Sequence, residues 1–308
     1  MGRAAADDAL DFTGERFTPE CVREISYEHW HRYAWAMGCV DGLDVLDCAC
    51  GEGYGSHLLA SRARSVVGAD VDAESVAHAQ RRYARPGLDF VEADALKLPF
   101  EDRRFDAVVS FETLEHLAEH DELMTEFRRL LKPGGFLVLS SPDRKTYSDD
   151  TGFDNEFHVR ELYRDELEAL LDRHFPNYRL YGQRLMFHSA LWRMGGDDHS
   201  VQHLRAGSEG TVDEGVRPAS EALYFIALAA ADRAALPEPA ALSLFDDQAE
   251  SVYAHYNQEI RNHIRAGELL AERDAEIERL KARLAEAETV DRRGLLARLF
   301  RPWPGARK

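Results

Sequence analysis

Cysteine is scarce in this chain, which has four: Cys21, Cys39, Cys48 and Cys50. The C-x-C spacing of the last two matches neither a redox C-x-x-C pair nor a zinc knuckle, so no metal site is expected from them. Long apolar runs are missing as well. Nowhere do ~18 apolar residues follow one another, as a membrane-spanning helix requires, and no charged-then-apolar leader opens the chain. Those absences predict a cytoplasmic protein with reduced thiols. Positive charge is in deficit too. Lys and Arg number 38 against 56 Asp and Glu, giving a net charge of −18 that a phosphate backbone would repel. No nucleic-acid partner is expected. What remains is ordinary globular material, 44% hydrophobic and 31% charged over 308 residues. That is enough for one large α/β domain with an appendage.

The order of the apolar segments gives the organisation. Residues 1–42 are a polar, aromatic-rich cap segment in which "SYEHWHRYAWAMG" predicts a helix ending at Gly38. From residue 43 to 235, strand-like and helix-like stretches alternate. "LDVLDCAC", "SVVGADVD", "LDFVEADA", "FDAVVSFE" and "FLVLSSP" read as strands, with "YGSHLLASRA", "AESVAHAQRRYA" and "DELMTEFRRLLKPGG" as helices among them. A further helix, "RDELEALLDRHF", precedes two last strands, "YRLYGQRL" and "ALYFIALAA". The alternation predicts an α/β fold with a doubly wound, mostly parallel, seven-stranded sheet of Rossmann-like type.

Two regions depart from that rhythm. Residues 186–220 form a glycine-bearing insertion, read as a lid or a loop. Residues 245–290 read as one long helix rich in Ala, Glu and Arg. In it Leu270, Ile277, Leu280 and Leu284 keep heptad-like spacing, which fits a short coiled coil joining a homodimer or, equally, a solvated single helix. The final segment, 291–308, carries five Arg and one Lys against one Asp, interleaved with Leu295, Leu296, Leu299, Phe300 and Trp303. A basic amphipathic segment of this kind predicts peripheral contact with the inner face of the cytoplasmic membrane.

The stretch "VLDCACGEGYG" places a strand end, a glycine-rich turn and a helix start in succession. Such a turn lets backbone N–H groups approach a ligand closely. A nicotinamide fingerprint would need its third glycine at Ser56, whereas the chain offers Gly55. Acidic residues sharpen the reading. Asp47 lies four residues before Gly51. Asp70 closes the second strand, where a carboxylate accepts hydrogen bonds from a ribose diol. Asp94 follows the third strand in "FVEADALKLPF", placed to take a hydrogen bond from an exocyclic adenine amine.

This ordered set, followed by "FDAVVSFETLEHL" and "LLKPGGFLVLSSP", resembles the class I S-adenosylmethionine-dependent methyltransferases over roughly residues 40–185. The branch it resembles carries an "LPF" turn, the type 11 methyltransferase domain. The resemblance implies S-adenosylmethionine as cofactor. It places Asp47, Gly51 and Gly53 around the methionine moiety, Asp70 on the ribose, Asp94 and Ala95 at the adenine, and Phe111 and Glu112 near the sulfonium. Ala49 and Val71 join the cofactor contacts, and Arg32 or Arg16 is expected to face the cofactor carboxylate. Cys48 and Cys50 then read as small packing residues where bulk would obstruct the cofactor.

A hydroxyl acceptor benefits from a general base. "FETLEHL" offers Glu112, Glu115 and His116 at the end of the fourth strand and is similar to the E-x-x-E-H segment of ubiquinone-pathway O-methyltransferases. His116 is the first choice for the base, with Glu115 beside it. "NEFHVREL" adds His158 and Arg160 toward an anionic or sugar acceptor. Together "TGERF", "EHWHRY", "SFETLEHL", "SSPDRKTYSD" and "NEFHVREL" resemble bacterial methyltransferases associated with surface polysaccharide and lipopolysaccharide synthesis. That implies O-methylation of a sugar hydroxyl on a glycan or its lipid-linked precursor. Asp143 stands where that pattern has Asn. Two alternatives stay open: a small-molecule acceptor (a quinone, a polyketide or an antibiotic sugar), and a non-catalytic cofactor-binding scaffold in a glycan assembly complex.

Overall fold

The computed structural model describes residues 17–19, 24–189, 202–206, 212–214 and 221–299, with side chains to residue 289 except those of 206 and 212–214. Residues 1–247 form one compact unit and 248–308 a second. In the first unit α1 (Glu24–Met37) precedes β1 (Asp44–Cys48), α2 (Tyr54–Leu59), β2 (Ser65–Asp70), α3 (Ala73–Arg82) and β3 (Leu88–Glu92). Then come β4 (Phe105–Ser110), α4 (His120–Leu130), β5 (Leu131–Pro142), α5 (Arg164–His174) and β6 (Asn177–Gln183). A short antiparallel pair, β7 (Leu204–Ala206) with β8 (Val212–Glu214), precedes β9 (Tyr224–Ala230).

Seven strands make one sheet in the order β3-β2-β1-β4-β5-β9-β6. The first five are mutually parallel, and β9 runs antiparallel between β5 and β6. Strand order reverses at β1, which pairs β2 on one side and β4 on the other; ligands of open α/β sheets bind above the carboxyl ends at such a switch point. The central strands are apolar on both faces because helices cover both. Alternation assigns the sides. In β5, Phe136 and Val138 join the core layer containing Tyr33, Ala36 and Leu59, while Leu137 and Leu139 join the opposite layer with Leu123, Phe127 and Phe175. In α4, Leu123, Met124, Phe127 and Leu130 are fully buried at a helical period, which is why that amphipathic segment docks where it does.

Element boundaries differ from the sequence reading in places. The helix expected over "YGSHLLASRA" stops at Leu59, because the N–H groups of Ser61, Arg62 and Ala63 turn back to Leu58 and Leu59 while Arg64 N–H bonds to Leu43 O, drawing the chain into β2. The strand expected at Phe136 begins at Leu131, with a register shift opposite Phe105 and Ala107 that accommodates the Pro-Gly-Gly segment. In the second unit α6 (Ser251–Leu299) is a continuous helix of 49 residues that carries on past residue 290, with Leu270, Ile277, Leu280 and Leu284 exposed. Among the described residues no helix is long and apolar enough to cross a membrane. Most of the expected insertion, Arg16, and the basic segment apart from its helical backbone to Leu299 lie outside the described residues.

The cap helix fits the sheet through one contact too close for a side chain. A Cβ on Gly55 would stand 2.0 Å from Tyr33 Cζ. Gly55→Ala is therefore expected to displace Tyr33 and destabilise the chain by about 1–3 kcal/mol in urea unfolding. A fully stable Ala variant would show that α1 does not seat against α2 in this way.

Candidate active site

The turn after β1 is built from left-handed backbone. Ala49, Gly51 and Gly53 have φ of 59°, 54° and 93°. Glycine adopts this region freely, whereas Ala49 pays a steric penalty of about 1–2 kcal/mol. Hydrogen bonds to β2 hold the turn: Cys50 N–H donates to Ala69 O at 3.0 Å, and Gly51 N–H donates to Asp70 Oδ2 at 2.7 Å. The other Asp70 oxygen accepts from Asp72 N–H at 2.9 Å. Asp70 thus ties the turn to the end of β2, at the edge where the sheet opens. Beside it the Val71 side chain is 72% exposed. Asp94 is exposed after β3, its Oδ1 accepting from Leu96 N–H at 2.9 Å, with Ala95 half-buried next to it.

Asp47 lies beneath the turn. It is 0% exposed and accepts from Ser56 Oγ at 2.6 Å and Tyr33 Oη at 3.2 Å. Burial pushes its carboxyl up to about 7, against the pull of those two bonds. The sequence reading placed Asp47 among ligand contacts; here its carboxylate holds the turn's supports together. Glu52 was not singled out from the sequence. It is buried within the turn and takes bonds from His78 Nε2 at 2.8 Å and Tyr83 Oη at 2.7 Å, with Arg82 Nη1 at 3.0 Å. The only sequence signal was an acid between two turn glycines. Cys48 and Cys50 are buried, and burial pushes both thiols up, so they stay protonated packing groups.

On the β4 side Phe111 is buried edge-on to Tyr33, with ring centroids 4.9 Å apart. Glu112 has a left-handed φ of 49° and is fixed reciprocally by Ser140, whose Oγ donates to Glu112 Oε1 at 2.6 Å and accepts from Glu112 N–H at 3.1 Å. Arg32 reaches the same carboxylate from α1: Nη1 lies 2.9 Å from Glu112 Oε1. That contact is close in distance but off the hydrogen-bonding direction. Arg32 is 2% exposed, donates from Nε to Gln183 Oε1 at 2.6 Å, and lies 4.3 Å over the Tyr224 ring. Its Nη2 is buried without a hydrogen-bond partner. Glu28 sits on the same helix, and burial pushes its carboxyl up to about 7 despite Arg32.

A single turn, Leu114–His116, follows β4. Its Glu115 is 1% exposed, and neither carboxylate oxygen has a hydrogen-bond partner. Burial, reinforced by the charge of Glu112, holds this carboxyl well above the usual range. The Glu115 carbonyl accepts from Val159 and Arg160 N–H at 2.8 and 3.0 Å, which binds the turn to the loop carrying His158. His116 Nδ1 donates to Phe157 O at 3.0 Å, and the two imidazoles are 5.0 Å apart at 82°. His158 Nδ1 lies 2.5 Å from Glu161 Oε1, Asn155 Nδ2 donates to its Nε2 at 2.9 Å, and Tyr147 stacks on it at 5.5 Å. Arg160 is not part of this group: it is exposed and lies 3.6 Å from Glu166. Asp143 is buried and accepts from Lys145 N–H at 3.1 Å, closing the turn that follows β5.

The family described as methyltransferase domain matches residues 46–139, the span from β1 through β5. A protein of Mycolicibacterium smegmatis, named a probable S-adenosylmethionine-dependent methyltransferase, is 37% identical over 220 residues, covering 68% of this chain and 83% of its own length. The chain belongs to the S-adenosylmethionine-dependent methyltransferases. A fatty-acid O-methyltransferase of the same organism is 36% identical over 121 residues, 39% of this methyltransferase and 44% of that protein. The crystal structure of the YcgJ protein from Bacillus subtilis covers 66% of this methyltransferase and all of its own chain, at 16% identity and a TM-score of 0.48.

S-adenosylmethionine is the cofactor of this enzyme, and the residues fit it. The left-handed turn brings backbone close, the orphaned Arg32 Nη2 suits a carboxylate, and the Val71 side chain faces outward beside Asp70.

The raised carboxyls give a pH dependence. Asp47 and Glu28 keep their protons in the folded enzyme up to about 7, while the unfolded chain releases them near 4. Their contribution is complete at low pH and is lost as pH rises to about 7. Cofactor-free enzyme should therefore lose stability, on the order of several kcal/mol, between about pH 4 and pH 7. Urea unfolding of Asp47→Asn should show a shallower slope; an identical slope would remove Asp47 as its source.

Proposed function

We propose that this methyltransferase O-methylates a sugar hydroxyl of a cell-surface glycan or of its lipid-linked precursor. The carrying observation is the polar acceptor side, where Glu115, His116, His158, Asn155 and Tyr147 cluster beyond Glu112. A polyhydroxylated acceptor needs donors and acceptors in that density, because each buried hydroxyl left unpaired costs binding energy.

In this reading Arg32 holds the methionine carboxylate, the Ala49–Gly53 turn lies along the methionine part, and Asp70 accepts from the ribose hydroxyls. Val71 and Ala95 flank the adenine, and Asp94 meets its amine. Phe111 and Glu112 close the floor at the transferring group. The bound cofactor supplies an electrophilic methyl on a sulfonium. The chain aligns the acceptor oxygen for in-line attack, and the Glu115–His116–His158 cluster stands where that hydroxyl loses its proton. Residues 291–308 would keep the enzyme at the membrane face where lipid-linked glycans are assembled, with α6 pairing two copies.

A second reading, a lipid or other small-molecule acceptor, draws on the exposed Phe153, Phe157 and Val159 around His158 and on the name of the fatty-acid relative. Labelled cofactor incubated with lipid-linked glycans, nucleotide sugars, fatty acids and quinones separates the two. Label is expected in a glycan fraction, whereas label confined to fatty acids or quinones overturns the sugar reading. No transfer to any acceptor, with cofactor bound, would favour a scaffold. Asp70→Ala should weaken cofactor binding by at least ~1.5 kcal/mol, about tenfold, in calorimetry; unchanged affinity would take Asp70 out of the cofactor site.

A further inference from the structure

The Glu115 carboxylate is a charge-bearing group with nothing to bear it against. Both oxygens are buried and unpartnered, and the surrounding chain stabilises the turn through the Glu115 main-chain carbonyl instead. Buried carboxylates are ordinarily paired, hydrogen-bonded or ligated to a metal. Two imidazoles stand beside this one. Glu115, His116 and His158 each bring a ligand atom within 4.8 Å of the other two. Metal–ligand bonds of about 2.0–2.2 Å put donor atoms roughly 3–4 Å apart, so modest side-chain rotation closes the set.

The outer contacts match those of metal-bound imidazoles. A ligating histidine donates its other ring N–H to a carbonyl or a carboxylate, which fixes tautomer and orientation. His116 Nδ1–H is on Phe157 O, and His158 Nδ1–H is on Glu161 Oε1, a carboxylate itself held by Ser148 Oγ at 2.6 Å. Each ring therefore carries its lone pair on Nε2. On His158 that nitrogen accepts from Asn155 Nδ2, a bond that a metal would displace. The main-chain bonds from Val159 and Arg160 to Glu115 O lock the two ligand-bearing segments together before any ion arrives.

We propose that Glu115, His116 and His158 bind a divalent transition-metal ion on the acceptor side of this methyltransferase. Two imidazoles and one carboxylate suit zinc or manganese, whereas magnesium and calcium favour all-oxygen sites. Three protein ligands leave positions open, and the acceptor hydroxyl would occupy one, where the ion lowers its pKa. His116 then serves as a ligand, not as the base read from the sequence. The role assigned to the open position rests on the O-methylation reading; the metal site itself does not.

Full-length enzyme stripped with EDTA should bind one equivalent of Zn²⁺ or Mn²⁺ per chain in calorimetry, with Mg²⁺ at least tenfold weaker. Glu115→Gln, His116→Ala and His158→Ala should each weaken that binding at least tenfold while cofactor affinity stays within about twofold of wild type. If Glu115→Gln fails to fold, the partly exposed His158 decides alone. Stripped wild type that binds neither ion, variants that bind as wild type, or a preference for Mg²⁺ overturn the site. The ion titration needs no acceptor. Metal binding with no glycan labelled retains the site and overturns the acceptor class; glycan labelling indifferent to EDTA, with no ion bound, does the reverse.

Discussion

The structure depends on one buried carboxylate. Asp47 lies near the end of β1 inside the protein, where it accepts from Ser56 on α2 and Tyr33 on α1. Those bonds fasten the cap helix, the first sheet helix and the central strand at one point. The turn above inherits its shape from that point, because Gly55 must let Tyr33 approach and Gly53 must pass Ala79, whose Cβ would stand 2.6 Å from a Cβ there. An acid whose burial opposes its ionisation is a weak source of stability. Its value is that it offers two acceptor oxygens at the one place where three elements converge.

The site above that point is asymmetric in charge. On one side, Arg32 lies among Glu28, Glu112 and the Tyr224 ring, a buried cation that keeps donor capacity in hand. On the other, Glu115 is a buried carboxyl with no hydrogen-bond partner, and burial opposes its ionisation. A zwitterionic amino-acid end and a neutral hydroxyl would experience these halves very differently. Low dielectric magnifies both effects. The reactive sulfonium would lie between them, near Glu112, whose strained backbone is held by Ser140 and Arg32 together.

Much of this was legible in the residues. The strands announced themselves because β1, β2, β4, β5 and β9 each carry a buried, mainly apolar centre. Asp70 and the glycine turn were legible because spacing along a strand-turn-helix fixes where they end up. Long-range burial was not. Glu115, read as a candidate catalytic group beside His116, is among the most buried charged groups, and Asp47 reads as a ligand contact yet points into the core. Arg160 sits two residues from His158 and faces solvent. Helix length misled at α2, where the tether of Arg64 to Leu43 overrides a good helical pattern.

The antiparallel strand β9 has a consequence for how such an enzyme can change. Because β6 and β9 run in opposite directions, the chain leaving Gln183 and returning at Tyr224 does so at the ligand-binding edge, and those two residues are direct cross-strand partners. Both also grip Arg32, one through Nε and the other through its ring face. The intervening segment can lengthen at little entropic cost. A change of length there leaves the Gln183–Tyr224 pairing, and the hold of both residues on Arg32, in place.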